Sequence, residues 1–509
     1  MSISRRRFAT TVAAPAIFTL LNCRGELRRR PNILFAISDD QSFPHTSAAG
    51  DRVVKTPAFD RVAQRGILFQ NAICNSPGCA PSRAAILTGQ SHWRLREAGT
   101  HASYFPRELQ VYPELLEKAG YHAGSTGKGA GPANFEASGW EHNPAGKPFG
   151  KRKVQNPPQG ISGVDYAANF EDFLRTRPAG QPFCFWYGGQ EPHRAFLKGA
   201  GRASGKKIED VRVPKFLPDS EEVRSDLLDY YQEIEYFDAH LSRMLDAIEK
   251  TGEAENTIVV VTSDNGMAFP RAKATMYEYG IHMPLAVSWP AQCAGARVVE
   301  DLVSFTDFAP TFLQAAGVGV PVDVTGRSLL NVLRETKSGT VDAGRTSALS
   351  GRERHSHSRY DNLGYPARAL RTRQHLYIRN FAPDRYPAGD PEGYHDIDDS
   401  PSKTYLLENR DNPNVKPLFE ATLGKSPAEQ LFDVISDPAC LENLAELPAH
   451  AAVKESLSVD LERTLHSQQD PRVLGTGDIF ESYPRHSPMR PELGGFAEQG
   501  EYNPKYQHK

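Results

Sequence analysis

Cysteine is scarce in this chain. Its 509 residues hold six, at 23, 74, 79, 184, 293 and 440, with no CxxC pair and no zinc-ligand spacing. A disulfide scaffold and a structural zinc site are thereby excluded. An excess of one sign of charge is missing as well. With 24 % charged residues and a formal net charge of −3, no global basic field draws the chain to nucleic acid or to anionic lipid, so any anion must be captured by a local site. Long hydrophobic runs are also absent. The most apolar stretch near the N-terminus, Phe8 to Leu21, falls short of the ~20 residues that a spanning helix needs, and no transmembrane span is expected in the mature chain. That stretch follows Arg5, Arg6 and Arg7 in MSISRRRFATTVAAPAIFTLLNC. A basic segment followed by a short apolar one reads as an export signal of the twin-arginine type over residues 1–30, giving a periplasmic or extracellular protein, with Cys23 as an alternative lipid attachment point. No internal repeat and no low-complexity tract interrupts the rest.

The length accommodates one large and one smaller domain. PNILFAISDD reads as a buried parallel strand with Asp39 and Asp40 at its carboxyl end. The same grammar recurs in NTIVVVTSDNG, which delivers Asp264 and Asn265, and in PFCFWYGGQEPH, which delivers His193. Three strands with polar groups at their carboxyl ends are how an open α/β sheet assembles a site. Val223, Leu227, Tyr231, Ile234, Phe237, Leu241, Met244 and Ile248 form one apolar stripe, with Ser220 as cap and Gly252 as stop, and predict a long covering helix. Pro, Gly and Lys crowd residues 140–165 and 196–218, which read as surface loops. The expected organisation is a catalytic α/β domain over 31–370 and a smaller α+β domain over 371–509, with an antiparallel sheet, an amphipathic helix near 451–465 and an extended tail.

Asp39, Asp40, Asp264 and Asn265 are hard oxygen donors without His or Cys among them, a set suited to Ca2+ or Mg2+ rather than zinc or copper. Cys79 stands in CAPSRAAILTG, just after a turn-like NSPG and at an apparent helix start where an anion is welcome. A thiolate nucleophile and an incidental buried thiol are both compatible with that position alone.

The whole pattern Cys79-x-Pro81-Ser82-Arg83 followed by Leu87-Thr88-Gly89 resembles the signature of the type I sulfatases, and LFDVISDPACLENLAE looks like that family's C-terminal region. The resemblance implies an alkaline-phosphatase-like mixed sheet flanked by helices. It implies oxidation of Cys79 to formylglycine by a formylglycine-generating enzyme. Asp39, Asp40, Asp264 and Asn265, with residue 79 itself, match the ligands of Ca2+, for which Mg2+ is the less suited alternative. Arg83 and Lys128 match the groups that hold the nucleophile, Lys273 the lysine on a sulfate oxygen, and His193 the histidine that contacts the sulfate and protonates the leaving group. One departure stands out: the family's histidine two residues after the lysine is Ala130 here, leaving His101, His45 and His122 as unranked replacements. Within the family, SDNGMAFPRAKATMY and GRERHSHSRYDNLGYPARALRTRQHLYIRN are similar to heparan N-sulfatase and its bacterial relatives. That likeness implies a sulfated glycan substrate, O- or N-sulfated, contacted by Glu353, Arg354 and His355. A formylglycine-dependent phosphonate or phosphodiester hydrolase is an alternative, against which Lys273 and His193 argue. A noncatalytic sulfoglycan-binding protein on a decayed scaffold, motivated by Ala130, is the other.

Overall fold

The computed structural model describes residues 30–507. The export signal expected over residues 1–30 lies outside these in all but its last residue, Cys23 included. Seven strands, β1 (Asn32–Ser38), β2 (Ile67–Ile73), β3 (His122–Gly127), β4 (Phe183–Gly188), β5 (Thr257–Ser263), β6 (His282–Ser288) and β7 (Arg297–Ser304), form a sheet in the order β3-β4-β1-β5-β6-β2-β7. Only β6 runs against its neighbours. β1 is buried along its whole length, which is why its sequence is a continuous apolar run rather than an alternating one. Leu34 and Ala36 point to one face, packing with Phe59, Phe170, Leu241 and Met244 from covering helices. Ile33, Phe35 and Ile37 point to the other, with Ala84, Leu87, Phe308 and Phe312. Truncating a side chain such as Phe35 to Ala in so closed a layer costs about 3–5 kcal/mol.

The long helix runs Glu221–Lys250, and the Ser220 side chain accepts from the Val223 N–H as its cap. Its apolar stripe faces the sheet and the turn after β5. Its C-terminal end feeds β5, so the helix fixes where that strand's carboxyl end emerges.

A second, antiparallel sheet has the order β11-β10-β9-β8, with β8 (Ala348–Arg352), β9 (Ala367–Arg371), β10 (His375–Asn380) and β11 (Glu429–Asp433). Two of its strands therefore begin before residue 371, where the sequence placed the change of character. ALSGR in β8 is short and carries no clear alternation, so it gives no strand signal. Leu457, Leu461 and Leu465 of the helix Ala451–Ser467 pack on Leu370, Tyr377 and Leu431 of this sheet. Arg371 in β9 reaches the first sheet's side of the molecule, pairing with Glu278 through two bonds of 2.8 and 2.7 Å. The tail after 470 folds back: His486 N–H donates to Ala102 O and Gly364 N–H to the Glu481 carboxylate. Among the described residues, no helix is long and apolar enough to cross a membrane.

Candidate active site

β3, β4, β1 and β5 are mutually parallel, so their carboxyl ends open on one edge. That edge receives Lys128 after β3, His193 after β4, Asp39 and Asp40 after β1, and Asp264 and Asn265 after β5. Two tight approaches bring the first pair together. Lys128 N–H donates to Gly188 O at 2.7 Å, and a Cβ on Gly188 would sit 1.7 Å from Lys128 O, so the crossing tolerates only glycine. Asp40 adopts φ 72°, in the left-handed region that costs a non-glycine residue about 1–2 kcal/mol, and its N–H is held by Asp264 Oδ1 at 3.0 Å.

Cys79 opens the helix Cys79–Thr88, all of which is buried. Its thiol donates to Asp39 Oδ1 at 3.3 Å. One turn on, Arg83 donates through Nε to Asp264 Oδ2 at 2.7 Å and through Nη1 to Lys128 O at 2.7 Å, while its buried Nη2 lies 3.8 Å from Asp39 Oδ1. Lys128 Nζ donates to Asp39 Oδ2. Lys273 Nζ donates to Asp40 Oδ2 at 2.7 Å and lies 3.2 Å from His193 Nε2. Arg271 and Ala274, on either side of Lys273, have φ 66° and 59°, so the loop holds that ammonium in place under strain. His193 Nδ1 is 2.6 Å from Arg194 O, which fixes the proton on Nδ1 and leaves Nε2 facing Lys273.

The charges do not cancel locally. Burial would raise the Asp39 carboxyl, but Lys128, His193 and Arg83 outweigh it and hold it well below the usual carboxylate range. Burial raises Asp40 to about 7, against Lys273 and with Asp39. It raises Asp264 to about 6, against Arg83 and with Asp39. Burial and the neighbouring carboxylate of Asp39 push the Cys79 thiol well up. Lys273, then burial, pulls His193 down. The metal-ligand atoms of Asp39, Asp40, Cys79 and Asp264 lie within 4.8 Å of one another, and Asn265 Oδ1 beside them is buried with no hydrogen-bond partner among the described residues. Three desolvated carboxylates and an orphaned amide oxygen converging on one point fit a hard divalent cation.

The three residues assigned to glycan contact separate. Glu353 is buried between Arg368 Nη2 at 2.8 Å and Arg472 Nη2 at 2.6 Å. Arg354 donates to Tyr483 O and Pro484 O at 2.6 and 2.9 Å. Both tie the C-terminal tail to the second sheet and do not face the site. The reason is desolvation: a buried charge persists only when paired or hydrogen-bonded, and the tail supplies those partners. His355 does turn to the site, since a Cβ on Gly78 would lie 3.1 Å from its Nδ1. Of the three candidate replacements for the histidine absent at Ala130, His122 stacks on Phe173 at the far end of β3 and His45 pairs with Asp51 at 3.3 Å. The His101 ring lies tilted against that of His355, centroids 4.4 Å apart, and its buried Nδ1 has no partner among the described residues. Sequence reasoning missed Asp398, whose Oδ2 is 3.1 Å from Lys273 Nζ; it comes from a Pro- and Gly-rich loop with no motif to mark it.

A mixed, helix-flanked sheet whose parallel strand ends gather a buried cysteine, three carboxylates that could hold a cation and fixed ammonium and guanidinium groups defines an alkaline-phosphatase-like hydrolase. Comparison with known proteins narrows that class. The family model described as Sulfatase matches residues 31–318, more than half of the chain, which therefore belongs to the sulfatase family and is a sulfuric ester hydrolase. It is 27 % identical over 540 residues to the human N-sulphoglucosamine sulphohydrolase, covering 94 % of this chain and 99 % of that one. It is 26 % identical over 490 residues to an ulvan-active sulfatase of Formosa agariphila, covering 89 % and 78 %. A solved structure in complex with its substrate D-glucosamine-2-N,6-O-disulfate shares the fold at a TM-score of 0.62 and 23 % identity, covering 87 % of this chain and 98 % of that one.

Proposed function

We propose that the protein removes a sulfate ester or sulfamate group from a sulfated glycan, using formylglycine formed from Cys79, with Ca2+ held by Asp39, Asp40, Asp264, Asn265 and residue 79. The observation that carries this reading is the convergence of Cys79 Sγ, three carboxylates and the cations Arg83, Lys128 and Lys273 on one strand edge. Bound there, Ca2+ supplies positive charge that neutralises sulfate. The remaining chemistry belongs to the chain. The aldehyde of residue 79 adds water to give a diol, and one hydroxyl, oriented by Arg83 and Lys128, releases its proton to solvent and attacks sulfur. The bond from sulfur to the glycan oxygen or nitrogen breaks, its electron pair leaves with the glycan, and His193 Nε2 delivers the proton. An anionic substrate offsets the Lys273 cation that depresses this ring, so binding favours the protonated acid. Loss of the proton from the second hydroxyl then re-forms the carbonyl, expels sulfate and restores the aldehyde, a route that a simple serine ester lacks. His101, beside His355, is the base we assign to that proton in place of the residue lost at Ala130. Relatives named for ulvan and for N-sulphoglucosamine support a glycan as the substrate, and the export signal expected over residues 1–30 fits a polysaccharide met outside the cytoplasm.

The first test is peptide mass spectrometry of the Cys79 segment after expression with a formylglycine-generating enzyme, together with sulfate release from defined sulfated saccharides. The expected result is aldehyde at residue 79 and sulfate released. Unmodified cysteine with no release refutes the reading, and faster turnover of an aryl phosphonate than of the matching sulfate gives the site to phosphonates instead. Chelation before assay is expected to lower both activity and Tm, since a ligand bound only to the folded state stabilises it by mass action.

A further inference from the structure

A cavity of ≈ 300 Å³ opens beside the nucleophile, at the lower end of the range that small-molecule sites occupy. Asp39, Lys128 and His193 line it together with Glu191 and Glu233. Glu233 sits in the middle of the helix Glu221–Lys250, on its buried side, with 3 % of its surface exposed. Its apolar neighbours Tyr230, Ile234 and Phe237 serve the core. An acid in that stripe destabilises the fold unless something engages it, and its carboxyl has no hydrogen-bond or ion-pair partner among the described residues. The surroundings do not neutralise it. Glu191 accepts only from neutral donors, Ser162 N–H at 2.9 Å, Tyr166 O–H at 3.0 Å and Gln190 N–H at 3.2 Å. The one guanidinium on the same cavity, Arg194, is committed to Asp226 through two bonds of 2.7 Å and to Ala268 O at 2.7 Å. Burial, then Glu191 and Asp229, raise the Glu233 carboxyl to about 9, so near neutral pH it both donates and accepts hydrogen bonds.

We infer that Glu233, backed by Glu191, is the wall that receives the sugar ring carrying the sulfate, and that it selects rings turning a hydroxyl or ammonium group toward it over rings turning a carboxylate or a second sulfate. The inference rests on the sulfated-glycan reading above and names the class of ring within it. Lys128 and His193 favour an anion where they line the cavity. Beside Glu191 and Glu233 no uncommitted cation awaits a second anion, whereas a hydroxyl or ammonium group finds a hydrogen-bond acceptor in the carboxyl. The volume suits one terminal ring, so the preferred substrate is a neutral or amino sugar sulfate at a chain end.

The test separates binding from turnover. Glucose 6-sulfate, glucosamine 6-sulfate and a 2-O-sulfated hexuronate are titrated calorimetrically into the full-length Cys79→Ala protein, alone and combined with Glu233→Gln, Glu233→Ala or Glu233→Leu. The first two sugars are expected to bind about tenfold more tightly than the hexuronate, the worth of roughly one polar contact, and Glu233→Ala is expected to abolish that preference. Glu233→Gln keeps an acceptor but cannot give up a proton beside a bound ammonium, so it retains the hydroxyl sugar better than the ammonium sugar. Glu233→Leu is expected to raise Tm while weakening both, the trade-off of a residue kept for binding. Unchanged affinities in Glu233→Ala, or a Tm that falls in both Glu233→Gln and Glu233→Leu, overturn the wall and make Glu233 structural. Sulfate release is measured separately on the unaltered protein: selective binding without release from any probe refutes the hydrolase reading and leaves the wall standing.

Discussion

Glu353 meets two guanidiniums, Arg368 and Arg472, and Arg368 in turn holds Asp470 at 2.6 Å. Glu353, Arg368 and Asp470 are fully enclosed, so removing one charge strands the others. Glu353→Gln is therefore expected to destabilise the protein by about 3–5 kcal/mol, read as a fall in the denaturation midpoint. If Glu353 contacted glycan instead, the same variant would raise KM and leave stability intact. Lys273→Ala is the opposite kind of change. It removes the cation from Asp40, Asp398 and His193 at once, and sulfate release is expected to fall by about 10²-fold or more in an assay of initial rates. At this scale the sequence was legible where a motif fixed identity, as at Cys79 and Arg83. It was opaque in GRERHSH, where five ionisable residues look alike on paper and only the folded tail decides that Arg354 is a strut and His355 turns to the site. Asp398 and Glu233 gave no signal, because neither belongs to a pattern and each reaches the site only through tertiary placement.

Elements carry the site as a set of strand ends. β1, β4 and β5 were legible because a parallel strand covered on both faces is a continuous apolar run that stops where its polar residue begins. The covering helix was legible from cap to stop, since Ser220 and the stripe announce a 3.6-residue period. β8 was not, and the second sheet begins ahead of the expected change at 371 for that reason. The short helix Glu278–Ile281 is joined to β9 by the Glu278–Arg371 pair. Burial would raise the Glu278 carboxyl, but Arg371 and then His282 outweigh it and hold it far below its ordinary value of 4.5. A depressed carboxyl stabilises the fold above its unfolded value and loses that contribution as pH falls below it. The Tm gap between the parent and Glu278→Gln is thus expected to be constant above the ordinary value of 4.5 and to close progressively in more acidic buffer. A gap that widens in acid contradicts this pairing.

The whole molecule is held shut by its C-terminal segment. Asp470, Arg472 and Glu481 enter the buried network of the second sheet, and Arg485 donates to His355 O at 3.0 Å, behind the histidine that faces residue 79. A chain ending at Ser467 is expected to lose sulfate release and to be cut by protease within β8 and β9, as limited proteolysis followed by mass spectrometry would read. The segment also sets an order in time. Cys79 is 1 % exposed once the fold is complete, and no second protein can reach a thiol so enclosed. Ribosomes deliver residue 79 long before residue 485, which leaves an interval in which that thiol is open. On the formylglycine reading proposed above, the modifying enzyme must work inside that interval, so maturation becomes a race between that enzyme and the chain's own closure.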